Sequence, residues 1–536
     1  MHEILTLQLG QRSNYLATHF WNAQESYFTY SSDQESPIDH DVHFRPGIGA
    51  DGTETFTPRT LIYDLKGGFG SLRKINALYE IDEPGVPQGL WNGPTVVHRQ
   101  TPIVPNEYQQ SLEEGSAPPQ LTTESVRYWS DFNRVFFHPR SIVQLNEYEL
   151  NSSLMPFENW DTGESLFSSL DKEHDLLDRD LRPFAEEADQ MQGIQIFSGT
   201  DDAWGGFAAR YMDRIRDEYG KTTVWFWGSE DVLTSIPREK RVLKMCNTAR
   251  CISEISTQAS LFIPLTLPSR LPTYVNMNIR SSWHVSGLLS AAMESMTLPS
   301  RLKSGTPSRE LLDHTGNALN INGNQTIARL RMSIQQKPEA ESTRINGDRH
   351  QPPDIRAQSR DTRMPTRNQS KASPEAGDKD DPDVFDMDFF PANIQEVAGA
   401  RGMSKKPHVF GQAENWRGPD NGHDEEELAD VEDEGFTRAR RRALGLPLVH
   451  KTRVPVSFPT LDSFPRILVK AQSGSSTSIA TSLSTDTTVA LRIKALRSIV
   501  GRAVSINERE ALGNSLGEIA EAYEEGYDSG SDEDDD

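Results

Sequence analysis

Met1-His-Glu-Ile-Leu-Thr-Leu-Gln-Leu-Gly10-Gln-Arg-Ser-Asn14, with Phe20-Trp21 a few residues on, is the stretch whose reading decides the fold. Ile4, Leu5, Leu7 and Leu9 form the apolar run of a buried strand. Gly10 lets the backbone turn without a Cβ penalty. Leu16, Phe20 and Trp21 then recur at helical spacing. A strand that feeds a helix through glycine aims backbone N–H groups at whatever lies before the helix, and anions bind there in α/β proteins.

Outward from this start the same pattern repeats. Thr60-Leu-Ile-Tyr-Asp64 reads as a second strand ending in an acid, with the glycine loop Leu65-Lys-Gly-Gly-Phe-Gly70 after it. A proline-punctuated loop runs from Glu83 to about Gln120, and Tyr128 to Ser141 opens a second segment. Leu181 to Met191 is amphipathic and predicts a helix; Ile194 to Ser198 predicts a strand, Phe207 to Tyr219 a helix and Thr223 to Trp227 a strand. Strand, loop, helix and strand in that order imply a parallel sheet with right-handed crossovers. Trp283 to Met296 predicts a buried helix. From about Gln335 to Asp383 the composition turns to Pro, Arg, Gln, Ser and Asp, which predicts a disordered linker. Apolar patterning returns at Val384 to Phe390 and from Val454 to Leu468, and Ala490 to Ile506 and Glu508 to Tyr523 predict helices.

A chain of 536 residues can hold two or three domains. Its net charge of -24 argues against general nucleic-acid binding, which needs clustered basic surface. Much of the excess lies around Asp424 to Glu434 and after Tyr523. Two cysteines, Cys246 and Cys251, make neither a disulfide framework nor a zinc site and read as reduced structural thiols. No apolar run is long enough to span a bilayer, and the N-terminus has neither a signal-peptide nor a matrix-presequence pattern. Synthesis and folding in the cytosol are expected, with any organelle association either peripheral or dependent on an internal signal.

The string Glu3-Ile4, Leu7-Gln8, Gly10-Gln11 and Asn14 with Phe20-Trp21 resembles the amino terminus of tubulins, where the Gly-Gln pair touches guanine nucleotide. Asp41-Val-His-Phe44, Pro58 to Leu65, Met191 to Ser198 and Arg214 to Tyr219 carry the resemblance along the chain. It implies a tubulin-like parallel sheet with flanking helices, an α+β C-terminal region, and a disordered linker and tail. Residual nucleotide-site positions implied by it are Gly10, Gln11, Asp64, Gly67, Gly68, Ser198, Gly199, Thr200, Gly205, Gly206 and Asn247. Asn247 fits a ribose-contacting asparagine, or else a loop asparagine bonding its own backbone.

The phosphate loop departs from the tubulin pattern. Where tubulins have Gly-Gly-Gly-Thr-Gly-Ser-Gly, this chain has Ser198-Gly-Thr-Asp-Asp-Ala-Trp-Gly-Gly206. Asp201, Asp202 and Ala203 take the leading glycine positions and Trp204 that of the threonine. Two carboxylates near a polyphosphate repel it, at about 4 kcal/mol per charge pair ~4 Å apart for an effective dielectric of 20. Cβ atoms and an indole block close backbone approach. An aspartate-capped helix with its N–H groups satisfied internally is the expected state, although a magnesium ion could recruit the two acids. Changing both aspartates to glycine is expected to raise nucleotide affinity. Lys66 replaces a second acid in the loop after Asp64. Glu310 and Asp313 lie near the place of the tubulin catalytic acid without matching its motif, so no group is named to position a hydrolytic water. His138 is read as structural.

Trp129-Ser-Asp, Phe137-His-Pro-Arg140, Asp64-Leu-Lys-Gly67 and Leu261-Phe-Ile-Pro264 resemble the Misato family of tubulin-related proteins. The segments expected are 1–115 (tubulin-like, Misato segment type), 121–330 (tubulin-like α/β), 335–383 (linker), 384–522 (C-terminal domain) and 523–536 (acidic tail). The resemblance implies a non-enzymatic protein of mitochondrial partitioning and mitochondrial DNA inheritance, in the cytoplasm and on the cytosolic face of the mitochondrion. Its partners would be proteins, among them tubulin or the cytosolic chaperonin, with no direct nucleic acid and no metal. No cofactor is expected, GTP being the one candidate. The alternative is an active, filament-forming GTPase. Arg438 to Arg442 reads as a self-neutralising solvated patch beside the acidic run, and Ser529 and Ser531 sit in an acidic context that suits phosphorylation.

Overall fold

Leu5, Leu7 and Leu9 point to one side of β1 (Glu3–Leu9) and Ile4 to the other, so the strand needs cover on both faces. In the computed structural model, which describes residues 2–29, 35–48, 54–72, 103–335, 385–391, 407–419, 448–468 and 476–524, it gets that cover at the centre of a six-stranded parallel sheet. The neighbours are β4 (Thr60–Lys66), β5 (Ile142–Glu149), β6 (Met191–Gly199), β7 (Thr223–Ser229) and β8 (Leu261–Leu265), in the order β5-β4-β1-β6-β7-β8. Leaving out the hairpin β2 (Phe44–Ile48) with β3 (Glu54–Pro58), this is the doubly wound order 3-2-1-4-5-6. The order reverses between β1 and β6, and the crevice at their C-terminal ends is where such sheets bind ligands.

Helix α1 (Gln11–Glu25) starts at Gly10, whose φ of 82° is a left-handed value that favours glycine. Helix α2 (Glu107–Glu114) is capped by Asn106. Helix α3 (Trp160–His174) leads through one π turn at Leu177–Leu181 into the short α4 (Arg182–Glu186). The predicted helix over 181–191 therefore ends early, because Met191 already pairs with Glu3 in the sheet. Helix α5 (Ala203–Glu218) begins four residues before its predicted start, since the side chain of Asp202 accepts from Trp204 N and caps it. Helix α6 (Arg238–Ile255) links β7 to β8.

Helix α7 (Ser282–Thr297) is buried on nearly all sides, as its apolar and small residues predict. It packs against α1 and against a second sheet. That sheet has the order β10-β9-β14-β11-β12, from β9 (Arg329–Gln335), β10 (Met387–Asp388), β11 (Val409–Arg417), β12 (Leu448–Val454) and β14 (Ser476–Asp486), with β13 (Phe458–Pro459) on β14. β9 ends at residue 335 and its partners come from after 384, so the apolar segments of the last third rejoin the body of the protein. Helix α8 (Leu312–Leu319) lies by β11, and α9 (Thr488–Ala503) and α10 (Ile506–Glu521) pack on α6. Of the predicted linker 335–383 only Gln335, the end of β9, is described, and of the predicted tail 523–536 only Tyr523 and Glu524; the acidic stretch 424–434 and Arg438 to Arg442 fall outside the described residues.

Candidate functional site

The residues singled out from the sequence converge at the switch point. Gly10 and Gln11 follow β1, Asp64 to Gly68 close β4, and Ser198 to Asp202 leave β6. What fills the space between them is the side chain of Trp204. A Cβ on Gly10 would stand 2.6 Å from Trp204 Cδ1, so the indole packs directly against the backbone at Gly10. Phe157 meets the other side of Trp204 edge-on, with ring centroids 5.1 Å apart. The remaining cleft, lined by Gly10, Gln11, Arg12, Phe157, Asp202 and Trp204, has a volume of about 180 Å³. Pockets that enclose drug-sized ligands run from about 300 to 1,000 Å³.

The two aspartates are fully occupied. Arg12 Nη2 donates to Asp201 Oδ1, and to Asp202 Oδ2 at 2.5 Å. Arg12 Nη1 lies 3.2 Å from Asp231 Oδ1. Lys244 Nζ, from α6, donates to Asp201 Oδ2 at 3.0 Å and to Asp231 Oδ2 at 2.8 Å. The backbone N–H of Asp231 donates to Asp201 Oδ2 at 3.0 Å. Burial opposes ionisation of Asp201, but Arg12 and Lys244 outweigh it and hold the carboxyl at about 2. At Asp202 burial and the neighbouring Asp201 win, and its carboxyl is raised. The two cations that could meet a phosphate thus face three carboxylates instead.

Asp64 sits in a closed box beside this plug. Its Oδ2 accepts from Gln11 Nε2 at 3.1 Å and Asn14 Nδ2 at 2.7 Å, and its Oδ1 from Leu65 N at 2.8 Å. Gln11 Nε2 also donates to Gly68 O at 2.7 Å. A Cβ on Gly68 would lie 2.5 Å from Asp64 Oδ1, so this glycine serves as a lid on the acid. Burial pushes the Asp64 carboxyl up to about 7 against those hydrogen bonds. Gly67 is exposed with a φ of 85°, and a Cβ there would meet nothing within 4 Å.

The other glycines of the loop serve packing. A Cβ on Gly205 would come within 3.1 Å of the Trp160 ring, and one on Gly206 within 3.0 Å of Glu164 N. Gly163 opposes them, and a Cβ there would lie 2.9 Å from Phe207 N. The three let α3 and α5 cross almost backbone to backbone. Ser198 Oγ donates to Gly199 O and Trp204 O, and Thr200 N donates to Ser229 O.

Asn247 needs correcting. It lies inside α6 rather than in a loop, fully buried, and it bonds distant backbone rather than its own. Its Nδ2 donates to Glu158 O at 2.8 Å and Asp201 O at 3.1 Å, and its Oδ1 accepts from Trp160 N at 3.3 Å. Glu310 pairs with His450 at 2.5 Å near the N-terminal end of β6, where Gln192 Oε1 accepts from Leu312 N, at the opposite edge of the sheet from the plug. His138 caps a short turn, its Nδ1 accepting from Arg140 N. Arg12, Asp231 and Lys244 were not singled out from the sequence. The acid pair at 201–202 required buried cations, and Arg12 stands one residue after Gln11; nothing local marks Lys244.

A triphosphate does not fit these residues, since its seat holds an indole and its cationic partners are taken. The scaffold is nevertheless that of a tubulin-like protein. Residues 118–302 match the family described as "Tubulin domain", and residues 2–114 the "Misato Segment II tubulin-like domain". "Protein dml-1" of Neurospora crassa is 51% identical over 553 residues and "Protein DML1" of Gibberella zeae 49% over 544, each covering 100% of both chains. "Protein dml1" of Schizosaccharomyces pombe is 35% identical over 321 residues, 56% of this chain and 66% of its own. The chain belongs to the Misato family of tubulin-related proteins, together with these Dml1 relatives. Among the described residues, no helix is long and apolar enough to cross a membrane.

Proposed function

We propose that this protein is a non-enzymatic, tubulin-related scaffold that acts in the partitioning of mitochondria and the inheritance of mitochondrial DNA from the cytosolic face of the organelle. The observation that supports the non-enzymatic part is the packing of Trp204 on Gly10, with Arg12 and Lys244 committed to Asp201, Asp202 and Asp231. Asp64, the acid with a carboxyl raised toward neutrality, is fully buried and reaches no substrate. The mitochondrial part rests on the Misato family resemblance. Protein partners, among them tubulin or the cytosolic chaperonin, suit a tubulin fold whose nucleotide seat is filled from within.

Isothermal titration of the purified chain with GTP and Mg²⁺ tests the first part. No heat of binding is expected up to near-millimolar ligand, and a dissociation constant of micromolar or tighter restores the filament-forming GTPase reading. A tagged copy followed by microscopy and protease digestion of isolated mitochondria tests the second. Co-purification with mitochondria in a protease-accessible state is expected; a tag that stays wholly cytosolic, or is protected inside, overturns it.

A further inference from the structure

Among the described residues, nothing covers one face of helix α9. Ile493, Leu496 and Val500 are buried on its other face, toward α6 and α10. Leu491, Lys494, Arg497, Ser498, Gly501 and Arg502 are exposed and, at helical spacing, lie side by side. The face carries three cations and no carboxylate. Among the described residues, no acid pairs with Arg497 or Arg502. Lys494 does have a partner, Glu524, at 2.5 Å.

Glu524 is the last described residue, and its position is pinned. The Tyr523 ring is fully buried, its hydroxyl accepts from Ile327 N at 2.6 Å, and Ala522 O accepts from Gln325 Nε2 at 2.8 Å. The chain therefore leaves the body beside Lys494, at one end of the basic face. The twelve residues that follow contain seven acids and no base. From Lys494 to Arg502 the helix advances only about 12 Å, while twelve residues reach up to about 40 Å. A segment tethered this closely is present at an effective concentration of order millimolar, ahead of a free competitor.

We propose that the C-terminal segment 525–536 docks along Lys494, Arg497 and Arg502 of α9 and covers that stripe, continuing the Lys494–Glu524 pair. The dock is electrostatic and exposed, so it is salt-sensitive. Phosphate on Ser529 or Ser531, at about -1.5 to -2 charges each, tightens it. The stripe then becomes available to any other anionic surface only when the segment is displaced.

Spin labels at Ser498→Cys and Ser531→Cys in the full chain read the dock by pulsed electron resonance; Cys246 and Cys251 are buried. At low salt a short, narrow distance is expected, and in 1 M salt, where the screening length is about 3 Å, a long and broad one. Arg497→Glu with Arg502→Glu is expected to give the long distribution at low salt, and lysines in place of the tail acids in that background to restore the short one. The salt series needs no charge variant, so it decides even if the reversed protein fails to fold. A distribution that ignores salt overturns the proposal, as does one that stays long at low salt because the segment sits elsewhere. Recruitment of the unlabelled chain to phosphatidylserine vesicles through this stripe, unchanged on deleting 525–536, overturns it too.

Discussion

Two charge clusters among the described residues, one at the end of the parallel sheet and one beside the second sheet, are built for different ends. At the C-terminal edge of the parallel sheet, Arg12 and Lys244 meet Asp201, Asp202 and Asp231 in a cluster that stays partly open to solvent. Between α7 and the second sheet, Glu294 pairs with Arg301 at 2.8 Å and with Arg417, all three essentially unexposed. Tyr27 Oη and Gln24 Nε2 also donate to Glu294, and Arg417 Nη2 reaches Tyr27 Oη at 2.7 Å. The inner cluster ties α1, α7 and β11 together. The outer one stands where the related fold holds a ligand, with carboxylates in place of phosphate. Carboxylates of the chain itself supply the counter-charge that Arg12 and Lys244 need in the folded state.

The largest break in this comparison comes from the inner cluster. Glu294→Ala leaves two guanidinium groups without a counter-charge in the core and is expected to cost about 3–5 kcal/mol, read from the urea midpoint. A loss below about 1 kcal/mol would show that water reaches the site. Next comes Arg12→Met, with an expected loss of about 1–3 kcal/mol because Arg12 is 26% exposed and Lys244 still serves Asp201. The sign of its pH dependence is set by Asp201. A carboxyl held at about 2 contributes stability that is complete above the unfolded value near 4 and is lost as pH falls toward 2. Arg12→Met should flatten that acid limb.

Asp64 has the opposite sign. Its folded value of about 7 lies above the unfolded one, so the native state holds a proton that the unfolded chain has released. Stability is expected to fall as pH rises from about 4 to 7, by up to about 4 kcal/mol, and Asp64→Asn to remove the slope in a pH series of urea melts. The smallest effect concerns nucleotide. With Trp204 on Gly10, glycines at 201 and 202 alone are expected to change GTP affinity by less than tenfold, or about 1.4 kcal/mol. The indole, read from the sequence as an obstacle beside the carboxylates, packs on Gly10 and is expected to be the larger of the two. Adding Trp204→Thr to that pair is the variant expected to gain binding by titration.

The sequence is most legible where local pattern and global role coincide. The apolar run of β1, the turn at Gly10 and the helix closed by Phe20 and Trp21 announce both an element and its place in the sheet. The acid pair in the phosphate loop likewise announces a filled cradle. Gly205 and Gly206 mislead, because a glycine kept for anion approach and one kept for a helix crossing look alike in a string; only Gly163, 42 residues earlier, tells them apart. The inner cluster carries no motif at all. Glu294 and Arg417 lie 123 residues apart and meet only because α7 runs across β11.

The loop after β7 holds Glu230 and Asp231 back to back, the second turned to Arg12 and Lys244, the first to Arg492 of α9 through bonds of 2.7 and 2.6 Å. Arg492 follows Glu230 by 262 residues. At about 5–20 residues per second on the ribosome, that interval is roughly 13–50 s. For most of it, once α6 and β8 have been made, the nascent chain carries all six strands of the parallel sheet with an unmet acid and the outer side of α6 bare. Glu230 gains its partner, and α6 its outer cover, only after Arg492 has been made.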